Sequence, residues 1–147
     1  MTPSHHILVV EDSDEDFATV LDAARRAGVT HQIRRASSGD EGLRLLRESL
    51  DAPGSPPALV LLDLNTPKGD GRDALLAIHK DDKLRALPLV VLSTSANPRD
   101  LSLCYACGAN AYHVKPVQHG AHLKVLEQLF DYWLTQVILP SNQSATR

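Results

Sequence analysis

Four short apolar runs, each stopping on residues with chemistry to offer, constrain this chain more than any other feature. Ile7-Leu8-Val9-Val10 stops on Glu11-Asp12, and Leu59-Val60-Leu61-Leu62 stops on Asp63. Leu89-Val90-Val91-Leu92 stops on Ser93-Thr94, and Ala111-Tyr112-His113-Val114 on Lys115-Pro116. Short unbroken apolar runs bounded by turn residues predict the buried strands of a parallel sheet. Ligands of open parallel α/β sheets gather outside the carboxyl ends of the strands. One sheet edge is therefore expected to hold three acids, a hydroxyl and a lysine. That set suits a divalent cation and the acceptance of a phosphoryl group.

Helical patterns fill the gaps between the runs. Residues 14 to 27 put Phe17, Val20, Leu21 and Ala24 on one face, with Ser13 or Asp14 to cap the start and Gly28 to end it. A strand is expected near residues 32 to 36, and the charges of Arg34 and Arg35 place it at a sheet edge. Residues 39 to 50 read as a helix with Leu43, Leu46 and Leu50 inward, and residues 51 to 57 as a loop. Asp70-Gly71 opens a helix that turns Ala74, Leu75 and Ile78 to the core. Pro88 precedes the fourth strand, and Asn97-Pro98 caps a helix reaching Cys107-Gly108. The last helix is expected from Gly120 to about Val137. Right-handed crossovers then place helices on both faces of a doubly wound, five-stranded parallel sheet. The expected organisation is one α/β domain over residues 1–140 and a polar tail over 141–147.

Bulk properties narrow the function classes. A net charge of -3 argues against a general nucleic-acid binder. No apolar run approaches the roughly 20 residues that span a bilayer. Met1-Thr2-Pro3-Ser4 leads into the first strand without a signal-peptide core, so a cytoplasmic location is expected. Cys104 and Cys107 form a C-x-x-C, but late in a helix, where the dipole does not acidify a thiol; they read as small core residues. The seven histidines make no metal pattern with them, and His119 and His122 read as a solvated pair on one helix face.

The same residues resemble the response-regulator receiver domain over nearly the whole chain. In that family an acidic pair follows the first strand, matched by Glu11-Asp12. The phosphate-accepting aspartate ends the third strand ahead of a D-x-x-x-P-x-x-D-G loop, matched by Asp63, Pro67 and Asp70-Gly71. A hydroxyl residue ends the fourth strand, matched by Ser93 with Thr94 beside it. A switch aromatic and a lysine-proline pair close the set, matched by Tyr112 and Lys115-Pro116. Together and in this order they are far more specific than any one alone.

The resemblance implies the flavodoxin-like receiver fold, (βα)5, and a signalling module rather than an enzyme. It implies that Asp63 accepts a phosphoryl group from a separate sensor histidine kinase. Glu11, Asp12, Asp63 and the backbone carbonyl of Asn65 would hold Mg2+, with Glu11 acting through a metal-bound water. Lys115, Ser93 and the Thr94 backbone N–H would contact the phosphoryl oxygens. The family joins the residues matching Lys115 and Pro116 by a cis peptide. Phosphorylation would draw Ser93 inward and let Tyr112 follow, remodelling the face of the fourth helix, fifth strand and fifth helix.

The end of the chain points to a narrower group and to self-association. Tyr132-Trp133-Leu134 and Leu139-Pro140, with the 91–95 segment, resemble the single-domain regulators that partner bacterial and cyanobacterial phytochromes, implying a phytochrome-type kinase. In the last helix Leu123, Leu126, Phe130, Trp133 and Val137 can cover the sheet. Val125, Leu129, Tyr132 and Ile138 form a second apolar stripe, expected as a homodimer interface. Two rival readings stand beside the phosphate receiver. A haloacid-dehalogenase-type phosphatase needs an acid two positions after its nucleophile, where this chain has Asn65. A pseudo-receiver would be a dimeric protein-binding module that never takes phosphate, yet no acid of the set, nor the lysine, is lost.

Overall fold

The structure, a computed structural model, describes residues 5–51, 56–65 and 71–140. The expected tail over 141–147 and the Pro67 and Asp70 positions of the loop motif lie outside the described residues. Strands and helices alternate: β1 (Ile7–Val10), α1 (Asp14–Arg26), β2 (Ile33–Ala36), α2 (Gly39–Asp51), β3 (Leu59–Asp63) and α3 (Gly71–Lys80). β4 (Leu89–Ser93), α4 (Pro98–Ala106), β5 (Ala111–Val114) and α5 (His119–Asp131) follow, and a π-helical turn spans Tyr132–Gln136. All strand pairs are parallel, in the order β2-β1-β3-β4-β5. The order reverses between β1 and β3, the topological switch point where such sheets bind ligands.

The apolar runs explain the layers. Successive side chains of a strand point to opposite faces. Leu8, Val10, Val60, Leu62 and Val91 accordingly join Leu46, Leu75, Ile78 and Cys104 in one core. Ile7, Val9, Leu59, Leu61, Val90 and Leu92 join Val20, Leu126 and Phe130 in the other, where α1 packs on α5. β1, β3 and β4 are buried throughout. β2 is an edge strand, as its arginines imply. β5 is the other edge and departs from expectation: its residues are half-buried and Val114 is exposed. A short, mostly apolar run such as Ala111–Val114 does not distinguish a central strand from an edge awaiting cover.

Local signals set the helix boundaries. Ser13, not Asp14, caps α1, its hydroxyl accepting the Asp16 N–H at 3.1 Å. Asn97 caps α4 with Pro98 in the first turn. Gly28 and Gly108, with φ of +75° and +89°, end α1 and α4 in the left-handed region. The last helix differs from expectation: α geometry stops at Asp131, and the chain continues as the π turn, closed by Val137 N–H donating to the Tyr132 carbonyl at 3.0 Å. This wider turn keeps the sequence neighbours Trp133 and Leu134 both packed on the α1–α5 core. Leu139 then returns to full burial.

That geometry corrects the second apolar stripe. Leu129 is a core residue at 2% exposure, packed with Leu126 and Phe130, because α5 lies across the sheet on a broader face than one stripe supplies. Ile138 lies beyond the helix altogether. Val125 is half-buried, while Tyr132 and Ile138 are exposed. Among the described residues no helix is long and apolar enough to cross a membrane.

Candidate functional site

Strand register assembles the site. β1 and β3 run side by side with Val10 opposite Leu62, so Glu11 and Asp63 emerge together. β4 and β5 pair Ser93 with Val114, which places Lys115 one step beyond Ser93; the Lys115 N–H donates to the Ser93 carbonyl at 2.7 Å. Asp63 is buried at the end of β3, as are Glu11, Ser93 and Lys115.

Lys115 is the centre of this cluster. Its Nζ donates to Glu11 Oε1 at 2.8 Å, Asp63 Oδ2 at 2.9 Å and Asp16 Oδ2 at 3.0 Å. An ammonium has three N–H donors, and each here meets a different carboxylate. Burial works against its charged form, yet the bonds and charges of Glu11 and Asp63 outweigh burial and raise the Lys115 pKa. Burial pushes Glu11 up to about 7, with the Asp63 charge adding to it and the Lys115 hydrogen bond opposing it. The second Glu11 oxygen accepts the Ser13 N–H at 3.3 Å.

The acids also fit a cation. Glu11, Asp12 and Asp63 can each offer one oxygen, all within 4.8 Å of one another, with Asp12 exposed at the mouth. Hard carboxylate oxygens converging on one point suit a divalent metal such as Mg2+ or Mn2+.

Asn65 ties the strand ends together. Its backbone N–H donates to Asp63 Oδ1 at 2.9 Å, its Nδ2 donates to Thr94 Oγ1 at 2.9 Å, and its Oδ1 accepts from Ser93 Oγ at 3.2 Å. Ser93 is thus the buried end of β4 and Thr94 the exposed residue after it, both held to one amide. Ser93 Oγ also accepts the Ser95 N–H at 3.1 Å, and the Tyr112 hydroxyl donates to the Ser95 carbonyl at 2.8 Å. Ser95 Oγ donates to Asp100 Oδ2 at 2.6 Å, and Arg72 reaches the other Asp100 oxygen at 2.9 Å. A hydrogen-bonded path therefore runs from Ser93 through Ser95 to half-buried Tyr112.

All the expected site residues that are described, Glu11, Asp12, Asp63, Asn65, Ser93, Thr94 and Lys115, converge on this edge, and Tyr112 is linked to it. Asp16 and Ser95 escaped the sequence reading. Asp16 is the third residue of α1 and lies three positions after the cap Ser13, a spacing that reads as helix capping rather than as a contact to β5. The Lys115–Pro116 peptide, whose isomer the sequence leaves open, is trans. One smaller expectation changes, that for His122. His119 is exposed as expected, but His122 is buried at 6% exposure because the first turn of α5 leans on the site. Burial lowers the His122 pKa, and the nearby Lys115 charge lowers it further. Cys104 and Cys107 are buried free cysteines, and burial pushes the Cys104 thiol up to about 11, consistent with inert core residues.

Residues 7–127 match the response regulator receiver domain. The chain belongs to that family. It is 34% identical over 140 residues to the response regulator Rcp1 of Synechocystis sp. strain PCC 6803, covering 95% of each chain. It is 37% identical over 128 residues to the Probable methanogenesis regulatory protein FilR2 of Methanothrix harundinacea, covering 87% of this chain and 83% of that one. Among solved structures it resembles the phosphorylated cyanobacterial phytochrome response regulator RcpA, with a TM-score of 0.85 and 34% identity, over 92% of this chain and 98% of RcpA. It resembles the Mn(2+)-bound form of Rcp1 equally well, with a TM-score of 0.85 and 33% identity, over 92% and 99% of the two chains. The fold is thereby the flavodoxin-like receiver fold, and the chain is a signalling module of the two-component class.

Proposed function

We propose that this chain is a single-domain response regulator that takes a phosphoryl group onto Asp63 from a sensor histidine kinase of the phytochrome type. The observation that carries this is the buried contact of Lys115 Nζ with Asp63 Oδ2 at 2.9 Å, at the switch point of the sheet. A carboxylate there is an oxygen nucleophile with a cation already aimed at the place where phosphoryl charge arrives. An Asp63 oxygen attacks phosphorus, the phosphorus–nitrogen bond of the kinase phosphohistidine breaks, and the imidazole leaves with the bonding pair and takes a proton. Lys115, Ser93 and the Thr94 N–H are the donors close enough to turn to the new phosphoryl oxygens.

Glu11, Asp12, Asp63 and the Asn65 carbonyl are the groups to hold Mg2+, whose bound charge would offset repulsion between the acids and the incoming anion. The Mn(2+)-bound Rcp1 relative supports the divalent cation, and the RcpA relative supports a phytochrome-type donor. The signal leaves through α4, β5 and α5: Ser93 turning to the phosphoryl group loosens its bond to Ser95 and with it the anchor of Tyr112. That face carries exposed Val114, Val117 and Tyr132 and a cavity of about 530 Å³ lined by His113, Val125, Leu129, Tyr132 and Trp133, and exposed Ile138 follows the π turn. We assign it to a homodimer contact.

The test is intact mass after incubation with acetyl phosphate and Mg2+. Wild type gains one phosphoryl group, while Asp63→Asn and chelator-treated protein gain none. A wild type that never gains mass and does not bind beryllofluoride is a pseudo-receiver, with its function in the dimeric face.

A further inference from the structure

The third acid on Lys115 has no place in the scheme so far. Asp16 lies outside the cluster of Glu11, Asp12 and Asp63 that can share a cation, yet its Oδ2 sits 3.0 Å from Lys115 Nζ. Its backbone N–H donates to the Ser13 hydroxyl at 3.1 Å, which fixes Asp16 in the first turn of α1. Lys115 itself cannot leave for solvent, being 9% exposed.

The other two partners of the ammonium are contested. Glu11 and Asp63 are the groups to which a divalent cation would bind, and a carboxylate shared with such a cation is a poorer partner for a neighbouring ammonium. The cation also repels that ammonium directly. Asp63, once phosphorylated, loses its carboxylate charge at the oxygen that forms the bond. Asp16 alone, among the three acids that Lys115 touches, keeps its anion for the lysine throughout.

We infer that Asp16 is a positioning residue that holds the Lys115 ammonium beside Asp63 while cation and phosphoryl group claim the other two acids. It touches neither the cation cluster nor the acceptor, and acts through Lys115. This inference rests on the proposed phosphoacceptor reading and concerns how the lysine stays in place within it.

The experiment compares wild type, Asp16→Asn and Asp16→Glu by NMR of the lysine side-chain ammonium groups, with Lys115→Arg assigning the Lys115 signal. In EDTA, the Lys115 ammonium is immobilised in all three proteins, because Glu11 and Asp63 still hold it. In saturating MgCl2, it stays immobilised in wild type and Asp16→Glu. In Asp16→Asn it becomes measurably more mobile than in wild type, while staying less mobile than the ammonium groups of exposed Lys80 and Lys83. The rate of phosphoryl uptake from acetyl phosphate falls about three- to tenfold in Asp16→Asn, the range for losing one partly solvated charge-assisted bond, and Asp16→Glu recovers it. An equally immobile Lys115 in Asp16→Asn with MgCl2, or an unchanged uptake rate, overturns the inference while the phosphoacceptor reading stands. If MgCl2 fails to shift the Asp12 and Asp63 amide signals of wild type, the cation reading fails, and the inference fails with it.

Discussion

Replacing Gly71 by alanine tests how tightly α3 is locked against the segment carrying Asp63. A Cβ at Gly71 would lie 2.7 Å from the Leu64 Cα, 2.9 Å from the Asp63 carbonyl oxygen and 3.1 Å from the Leu64 carbonyl oxygen. Carbon atoms in contact prefer about 3.5–4.0 Å, so the backbone just after Asp63 must yield by about 1 Å. At an open helical site the exchange would stabilise by about 0.5–1 kcal/mol, whereas overpacking against fixed atoms costs about 1–3 kcal/mol. The net expectation is a loss of about 1–2 kcal/mol, read as a lower urea midpoint at unchanged m-value. A displacement of about 1 Å at reacting atoms can cost about 100-fold, so phosphoryl uptake from acetyl phosphate should fall by more than stability does. Gly28→Ala is the control. It meets nothing within 4 Å but must adopt φ +75°, so it costs about 1–2 kcal/mol and leaves uptake unchanged. A Gly71→Ala protein matching wild type in midpoint and uptake would refute the reasoning.

Two further outcomes follow from burial and exposure. His6 is buried, and desolvation, then the charges of Arg34 and His5, lower its pKa from 6.5 to about 4. A depressed pKa means the unfolded chain binds the proton first, so this stability is present above about pH 6.5 and lost as pH falls towards 4, by about 3 kcal/mol at most. Urea midpoints of His6→Gln should therefore fall less than those of wild type across that window; parallel curves would contradict this. Glu11, with its pKa raised, works in the opposite sense in metal-free protein, which is why the difference between variant and wild type is the quantity to read. The proposed homodimer predicts that wild type sediments as a dimer and Ile138→Asp, at a 76% exposed position just after the π turn, as a folded monomer; a monomeric wild type or an unchanged dimer would refute that contact.

Much of the site was legible because strand ends are punctuated by chemistry. Glu11, Asp63, Ser93 and Lys115 each end an apolar run, and parallel pairing carries such ends to one edge whatever the helices do. Asp16 was not legible, because it sits within a helix and its partner is 99 residues away in sequence. Nothing local separates an acid that favours the helix N-terminus from one that reaches a lysine on β5. Ser95 was hidden for a related reason: its backbone does the linking, accepting from Tyr112 and donating to Ser93, and backbone leaves no mark on residue type. Leu129 lies on the second apolar stripe of α5, and sequence spacing alone does not tell that this stripe also reaches the core. The broad contact with the sheet takes Leu129 inward, and the π turn re-phases everything after Asp131. His122 was misread by composition alone, since a histidine two residues from a glycine in a first turn looks solvated until α5 is docked.

The most direct test of the central claim locates the phosphoryl group by residue. Protein loaded with acetyl phosphate and Mg2+ is reduced with borohydride, which converts an acyl phosphate to an alcohol, and its peptides are sequenced by mass spectrometry. The account predicts homoserine at position 63 and at no other aspartate. Homoserine at Asp12 or Asp16 with Asp63 unmodified, or phosphate retained on a histidine, would contradict it.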